Sequence, residues 1–260
     1  PAPHPLTKAR QAALALLILT LTEPDNRPIR LSSVMTFPLI KRAALCAVLF
    51  LAACEDAEDR AEAFYQSGLT LLEAGDTDRA LIEFRNVFEH NGFHKEARQI
   101  YADTLHDMGR TDDAYSQYLR LIEQYPDTAD VRLTLAEIAL ARNDWDEVRR
   151  HGTAGADLTP DTPRAQAVAA AIASTTALRA DDDAALHDAH TRAKSVLDAA
   201  PDNLVALRVV IDGIARGPLP DTALPLLDRA IALDPASLEF HGAKLRLLTD
   251  MKDDPAAIAQ

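Results

Sequence analysis

The 260-residue chain carries 27 Lys and Arg against 40 Asp and Glu, a formal charge of −13, with 48% hydrophobic residues and two cysteines. The imbalance is sharper than the total: residues 1–54 hold six basic and two acidic residues, leaving 21 against 38, near −17, from Glu55 onward. Such a surface repels nucleic acid and anionic head groups beyond a Debye length of about 8 Å, excludes nucleic acid as a partner, and favours basic or amphipathic ones.

Pro1 to Val34 begins without a methionine and holds an apolar run, Ala12 to Leu21, followed by Pro24 and Pro28. A lead of this kind sits badly in front of an export signal, and it reads as an upstream extension, residues 1–34, outside the fold. Met35 then offers a start, Lys41 and Arg42 a basic n-region, and Ala43 to Phe50 an apolar h-region. The apolar run of about a dozen residues is too short to span a bilayer, which takes roughly 20.

The tetrad Leu51, Ala52, Ala53, Cys54 resembles a bacterial lipobox. That resemblance implies a signal peptide over 35–53, cleavage before Cys54, lipid on Cys54, and a lipidated linker over 54–60. Cys46 leaves with the signal, so the mature chain retains no pair of cysteines for a disulfide or a metal site. Several acyl chains, each buried methylene contributing about 0.8 kcal/mol, hold such a protein to the membrane. Glu55 stands where Asp favours inner-membrane retention, so the expected location is the envelope of a Gram-negative bacterium, on the outer membrane and facing the periplasm.

A period of 34 residues organises the rest. It relates Gly75, Gly109 and Asn143; Asp78, Asp112 and Asp146; Ala80, Ala114 and Val148; and Gly92, Pro126 and Pro160. Apolar residues at helical spacing flank each Gly or Asn, so each unit is a helical hairpin whose turn needs a left-handed residue and a cap. Proline closes the second helix by lacking an N–H. Pro201 follows Pro160 by 41 residues, seven too many, which adds two helical turns, about 10 Å, near Leu178 to Ala184. Pro235 restores the period, and Pro163, Pro220 and Pro255 occupy first-turn positions.

A 34-residue helix-turn-helix with small Gly68, Ala80, Ala102 and Ala114 beside large Phe84 and Tyr118 resembles the tetratricopeptide repeat. The resemblance implies an all-α, right-handed solenoid of antiparallel helical hairpins over residues 61–260. The repeats fall at about 61–94, 95–128, 129–162, 163–203 and 204–237, with an incomplete 238–260 beyond which the natural chain is expected to continue. Gly152 stands where an aromatic is usual, so the third unit's second helix is expected to pack less well, with Gly152 and Gly155 marking a loosened helix.

No zinc, Walker, nucleophile-elbow or dinucleotide motif is present, so the chain reads as a non-enzyme without cofactor, metal site or small-molecule substrate. His151-Gly-Thr-Ala-Gly155 lacks the preceding strand a nucleophile elbow needs. His187 and His190, and Asp181 to Asp183, are better read as surface and capping residues than as metal ligands. His90 and His94 flank Gly92 at a turn.

The repeat resemblance further implies a concave protein-binding groove on the first helices. Its positions are Glu62, Tyr65, Leu69, Leu72 and Glu73; then Glu96, Gln99, Asp103, His106 and Asp107; then Asp130, Leu133, Glu137 and Leu140. Tyr65, Leu69 and Leu72 form the expected apolar anchor; Glu96, Asp103, Asp107 and Glu137 supply the charge. Tyr65 and Leu69 replace the Lys and Asn that clamp a C-terminal carboxylate in some members. The implied function is a membrane-anchored scaffold for an envelope assembly, serving outer-membrane assembly, cell-wall synthesis or polysaccharide export. The alternatives are a non-catalytic arm of an enzyme whose active domain lies beyond residue 260, or self-association through an uncapped end.

Overall fold

The computed structural model describes residues 57–214 and 223–253. Cys54, the signal-like run, the 1–34 extension, Pro220, Pro255 and Ala257 lie outside the described residues. Eleven helices and no strand occur among them: α1 (57–73), α2 (Thr77–His90), α3 (Lys95–Asp107), α4 (Thr111–Gln124), α5 (Ala129–Ala141), α6 (Trp145–Leu158), α7 (Pro163–Ala180), α8 (Asp183–Ala199), α9 (Leu204–Ile214), α10 (Ala223–Leu233) and α11 (Leu238–Asp253).

Four hairpin turns share one solution. Gly75, Gly109, Asn143 and Asp181 adopt φ of 76°, 74°, 57° and 55°. Each follows a helix whose terminal carbonyls are then satisfied by a paired bond: Asp76 N–H to Leu71 O, Arg110 N–H to Leu105 O, Asp144 N–H to Ala139 O and Asp182 N–H to Ala177 O, at 2.8, 2.9, 2.9 and 3.0 Å. The next residue caps the following helix where its side chain allows: Asp76, Asp144 and Asp182 accept from Arg79, Glu147 and Ala185 N–H. Arg110 occupies the corresponding place before α4 and gives no side-chain cap. Pro163 opens α7 behind the Thr162 cap.

The repeat columns are the core. Ala80, Ala114 and Val148 are 0%, 0% and 1% exposed, and Phe84 and Tyr118 are 0% and 1%. Small residues let the helices close on these rings; a Cβ added to Gly68 would stand 2.6 Å from Phe84 Cε1. The third unit inverts this arrangement, with Gly152 small and its space filled from α7, so a Cβ there would meet Val168 Cγ1 at 2.6 Å. Helix α6 therefore runs unbroken through buried Gly152 and Gly155 and packs closely, which corrects the expectation of a loosened helix.

The seven-residue insertion lengthens both helices of the fourth hairpin. α7 and α8 have 18 and 17 residues, against 13 and 14 for α5 and α6, and the turn between them sits at Asp181 and Asp182. Each helix packs on its neighbours in sequence, and α7 also touches both α5 and α9. α7 thus nests between α5 and α9, and the first helices of the hairpins make up the inner, concave layer. Among the described residues no helix is long and apolar enough to cross a membrane.

Candidate protein-binding groove

A cavity of about 1030 Å³ opens on the inner layer between α5, α7, α9 and α11. Its apolar lining includes Ile138, Leu140, Val205, Leu233 and Phe240, and its polar lining includes His106, Thr134, Glu137, Arg164 and Arg208.

Arg164 projects from the first turn of α7 onto α5. Its Nε and Nη2 donate to the two carboxylate oxygens of Glu137 at 2.7 and 2.5 Å, and Nη2 also reaches Thr134 Oγ1 at 2.7 Å. This bidentate fork fixes the guanidinium. Glu137 is therefore a satisfied partner of Arg164 rather than a free charge for a ligand, a correction to the sequence expectation.

Arg208 of α9 closes the other side. It donates through Nη1 to Leu140 O at 3.1 Å, pairs with Glu239 of α11, and lies over the Phe240 ring. Leu140 belongs to the last turn of α5; its carbonyl already accepts from Asn143 N–H at 3.0 Å, and Arg208 adds a second bond to the same oxygen from two hairpins away.

Beside the cavity, α3 presents Asp103, His106 and Asp107 to solvent. The Tyr118 hydroxyl donates to Asp103 Oδ1 at 2.6 Å. Burial raises the Asp103 carboxyl above its ordinary value; the Tyr118 bond opposes this and neighbouring Asp107 adds to it. Neither Asp103 nor Asp107 makes an ion pair among the described residues. Asp130 lies 3.9 Å from Arg164. Gln99 is half-buried on the same helix as Asp103.

The first-repeat positions gather differently. Glu62, Tyr65 and Glu96 surround His94, which caps α3 through Nδ1: Glu62 lies 3.5 Å from Nε2, Glu96 3.6 Å from Nδ1, and the Tyr65 ring stands 4.7 Å away. Burial, then the Glu96 and Glu62 charges, raise the Tyr65 phenol. Tyr65, Leu69 and Leu72 are partly buried against the core of Phe84, Val87 and Ala97. They contribute to packing as much as to an open face; Glu73 stays exposed. In the third repeat Leu133 is 1% exposed, wedged under Gly155, and is a core residue; Leu140 is 4% exposed, with its edge at the cavity.

The histidine and aspartate candidates also come together. Asp181, Asp182, Asp183, His187 and His190 rim a shallow cavity of about 380 Å³. No group of three or more His, Cys, Asp or Glu among the described residues is arranged to hold a metal ion. His151, read with the nucleophile-like run, is 1% exposed inside α6, with Nε2 2.9 Å from Glu147.

Arg164, Arg208 and Phe240 were not legible as groove residues in sequence. Arg164 is nevertheless the fourth member of the column Glu62, Glu96, Asp130, each 34 residues apart, where the sign reverses. Following that column one step further finds it. Arg208 lies beyond the seven-residue insertion, which displaces its register.

No curated protein matches the chain. The tetratricopeptide-repeat family matches residues 71–131 and 105–172. Among solved structures, YrrB, "a TPR protein with an unusual peptide-binding site", has a TM-score of 0.51 at 15% identity, covering 75% of this chain and 97% of its own. PilW, a "widely conserved type IV pilus biogenesis factor", gives 0.52 at 14% identity, with 76% and 89% covered. MamA gives 0.51 at 14%, with 68% and 93% covered. At such identities the likeness is one of fold. Family match, turn geometry and neighbours agree on the architecture: the chain is an all-α solenoid of antiparallel helical hairpins that carries tetratricopeptide repeats over residues 71–172.

Proposed function

We propose that this chain is a non-catalytic scaffold, anchored by lipid at Cys54 in a Gram-negative envelope and holding partner proteins on its concave layer. The observation that carries it is the inner-layer cavity of about 1030 Å³, open between four first helices and lined by both apolar side chains and fixed guanidinium groups. Open mixed surfaces of this size suit a peptide segment.

Two of the three neighbours, YrrB and PilW, supply an analogy. One carries a peptide-binding site and the other serves type IV pilus biogenesis, an envelope assembly. The lipobox-like Leu51 to Cys54 supports the anchor, and Glu55 after the cysteine supports the outer membrane.

Expression from Met35 in a Gram-negative host tests both halves. The protein should fractionate with membranes and carry acyl groups on Cys54, and Cys54→Ser should release it; equal fractionation of the two would refute the anchor. A photo-reactive residue at His106 should capture an envelope protein that one at Arg85, on α2, does not. Equal capture from both positions would refute the concave site.

A further inference from the structure

The acidic rim on α3 and the cavity beyond it lie side by side on the concave layer and differ in kind. At the rim, Asp103 and Asp107 make no ion pair among the described residues, and Arg164, the nearest cation on α7, is occupied by Glu137. At the cavity, Leu140, Val205 and Phe240 form an apolar wall with only their edges showing. Leu233 is 42% exposed, a large aliphatic side chain left in water at the cavity edge.

The cations there are already paired with carboxylates. Arg164 holds Glu137 and Thr134, and Arg208 holds Glu239 and Leu140 O. An incoming carboxylate would have to displace a bound glutamate, whereas an incoming ammonium or guanidinium would meet two unpaired carboxylates. The cavity volume stands at the upper end of the roughly 300–1000 Å³ of small-ligand sites, enough for several side chains in a row.

We propose that the groove binds one amphipathic segment of a partner protein, its basic side chains against Asp103 and Asp107 and its apolar side chains over Leu233 and Phe240. This deepens, and rests on, the scaffold function proposed above. Binding in this way has a direction, because the cationic end of the segment must lie toward α3 and the apolar end toward α11. The acidity of the chain from Glu55 onward, 38 carboxylates to 21 basic residues, draws such a segment in by long-range attraction and disfavours a second copy of this chain as the occupant.

Fluorescence anisotropy on the full chain tests this with three labelled 14-residue peptides. The first has Lys and Arg in one half and Leu and Phe in the other; its twins carry Glu for the cations or Ser for the apolar residues. The first peptide should bind best. Asp103→Asn with Asp107→Asn should weaken it about tenfold at 20 mM salt and much less at 300 mM. Leu233→Asp, at an exposed position, should weaken it about tenfold at both salts, while Glu89→Gln with Asp157→Asn on the second helices leaves it unchanged. Equal or tighter binding of the acidic twin, equal effects from the control pair, or no binding by any peptide overturns the proposal. In each case specific capture at His106 would leave the scaffold reading standing, so the two failures are separable.

Discussion

Arg208 donates to the main-chain oxygen of Leu140, 68 residues earlier and two hairpins away, at 3.1 Å. The bond joins the third and fifth hairpins across the concave side, past the long α7. Replacing Arg208 with Ala removes it together with the Glu239 pair and leaves Leu140 O with the Asn143 N–H alone. Hydrogen bonds to charged groups contribute about 1.5–3 kcal/mol, so a loss of roughly 2 kcal/mol is expected in denaturant unfolding. X-ray scattering should show a larger radius of gyration, because the direct tie between the two hairpins is then gone. An unchanged radius would show that packing alone sets the curvature.

The glycines of α6 and α11 should respond oppositely to alanine. Gly152→Ala drives a methyl into Val168 and Ile172 and should cost about 1–3 kcal/mol by overpacking. Gly242 sits in α11 with nothing within 4 Å of an added Cβ. Gly242→Ala should stabilise by up to about 1 kcal/mol through helix propensity. Parallel thermal melts of the two variants check the pair.

Acid should loosen the third hairpin. Burial lowers the His151 imidazole below its ordinary value, against the opposing pull of Glu147; Arg150 and Arg132 lower it further. Glu147 is raised by burial but lowered more by its bonds from Arg150, His151 and Tyr115, for a net decrease. For both groups the unfolded chain binds more protons as the solution becomes acidic. Their stabilisation is therefore complete above the unfolded values, about 6.5 for His and 4.5 for Glu, and is lost on descending through them. Unfolding midpoints should fall between pH 7.5 and 5, and His151→Leu should flatten that part of the curve.

Arg98 is a buried cation with no carboxylate paired to it among the described residues. It is 2% exposed, stacks 4.3 Å from the centre of the Phe88 ring, and donates to Gly92 O at 2.8 Å and Gln117 Oε1 at 2.9 Å. It pins the link between the first and second hairpins. Arg98→Ala should destabilise by about 3 kcal/mol, since it removes packing, leaves Gln117 Oε1 without its donor and leaves Gly92 O with Gln124 Nε2 alone. Amide exchange should speed first around Asn91 to His94.

Helix type and hairpin order were open to view in the sequence because they depend on local chemistry. Gly75, Gly109 and Asn143 declare a left-handed turn through their own backbone preferences, and Ala80, Ala114, Phe84 and Tyr118 declare core through period and size. The groove was less legible because its members are set by long-range geometry. The pairing of Glu137 with Arg164 spans 27 residues, and the contact of Arg208 with α5 requires the curvature that the long fourth hairpin imposes. Gly152 misled for a similar reason: the side chains that fill its space come from the next repeat. Asp181, a left-handed residue with a β-carbon, lay outside the 34-residue column and was visible only as part of a capping acidic run.

Among the described residues the core is divided among four clusters in chain order, from Phe84 and Ala97, through Tyr118 and Leu135, through Val168 and Val209, to Leu227 and Phe240. Interfaces arranged in series share a pulling force equally, and each yields at its own threshold. A molecule of this build, held at one end and loaded at the other, lengthens in steps as hairpins peel away. It retains the interfaces that have not yet given way, so it serves as a compliant spring between whatever grips its two ends.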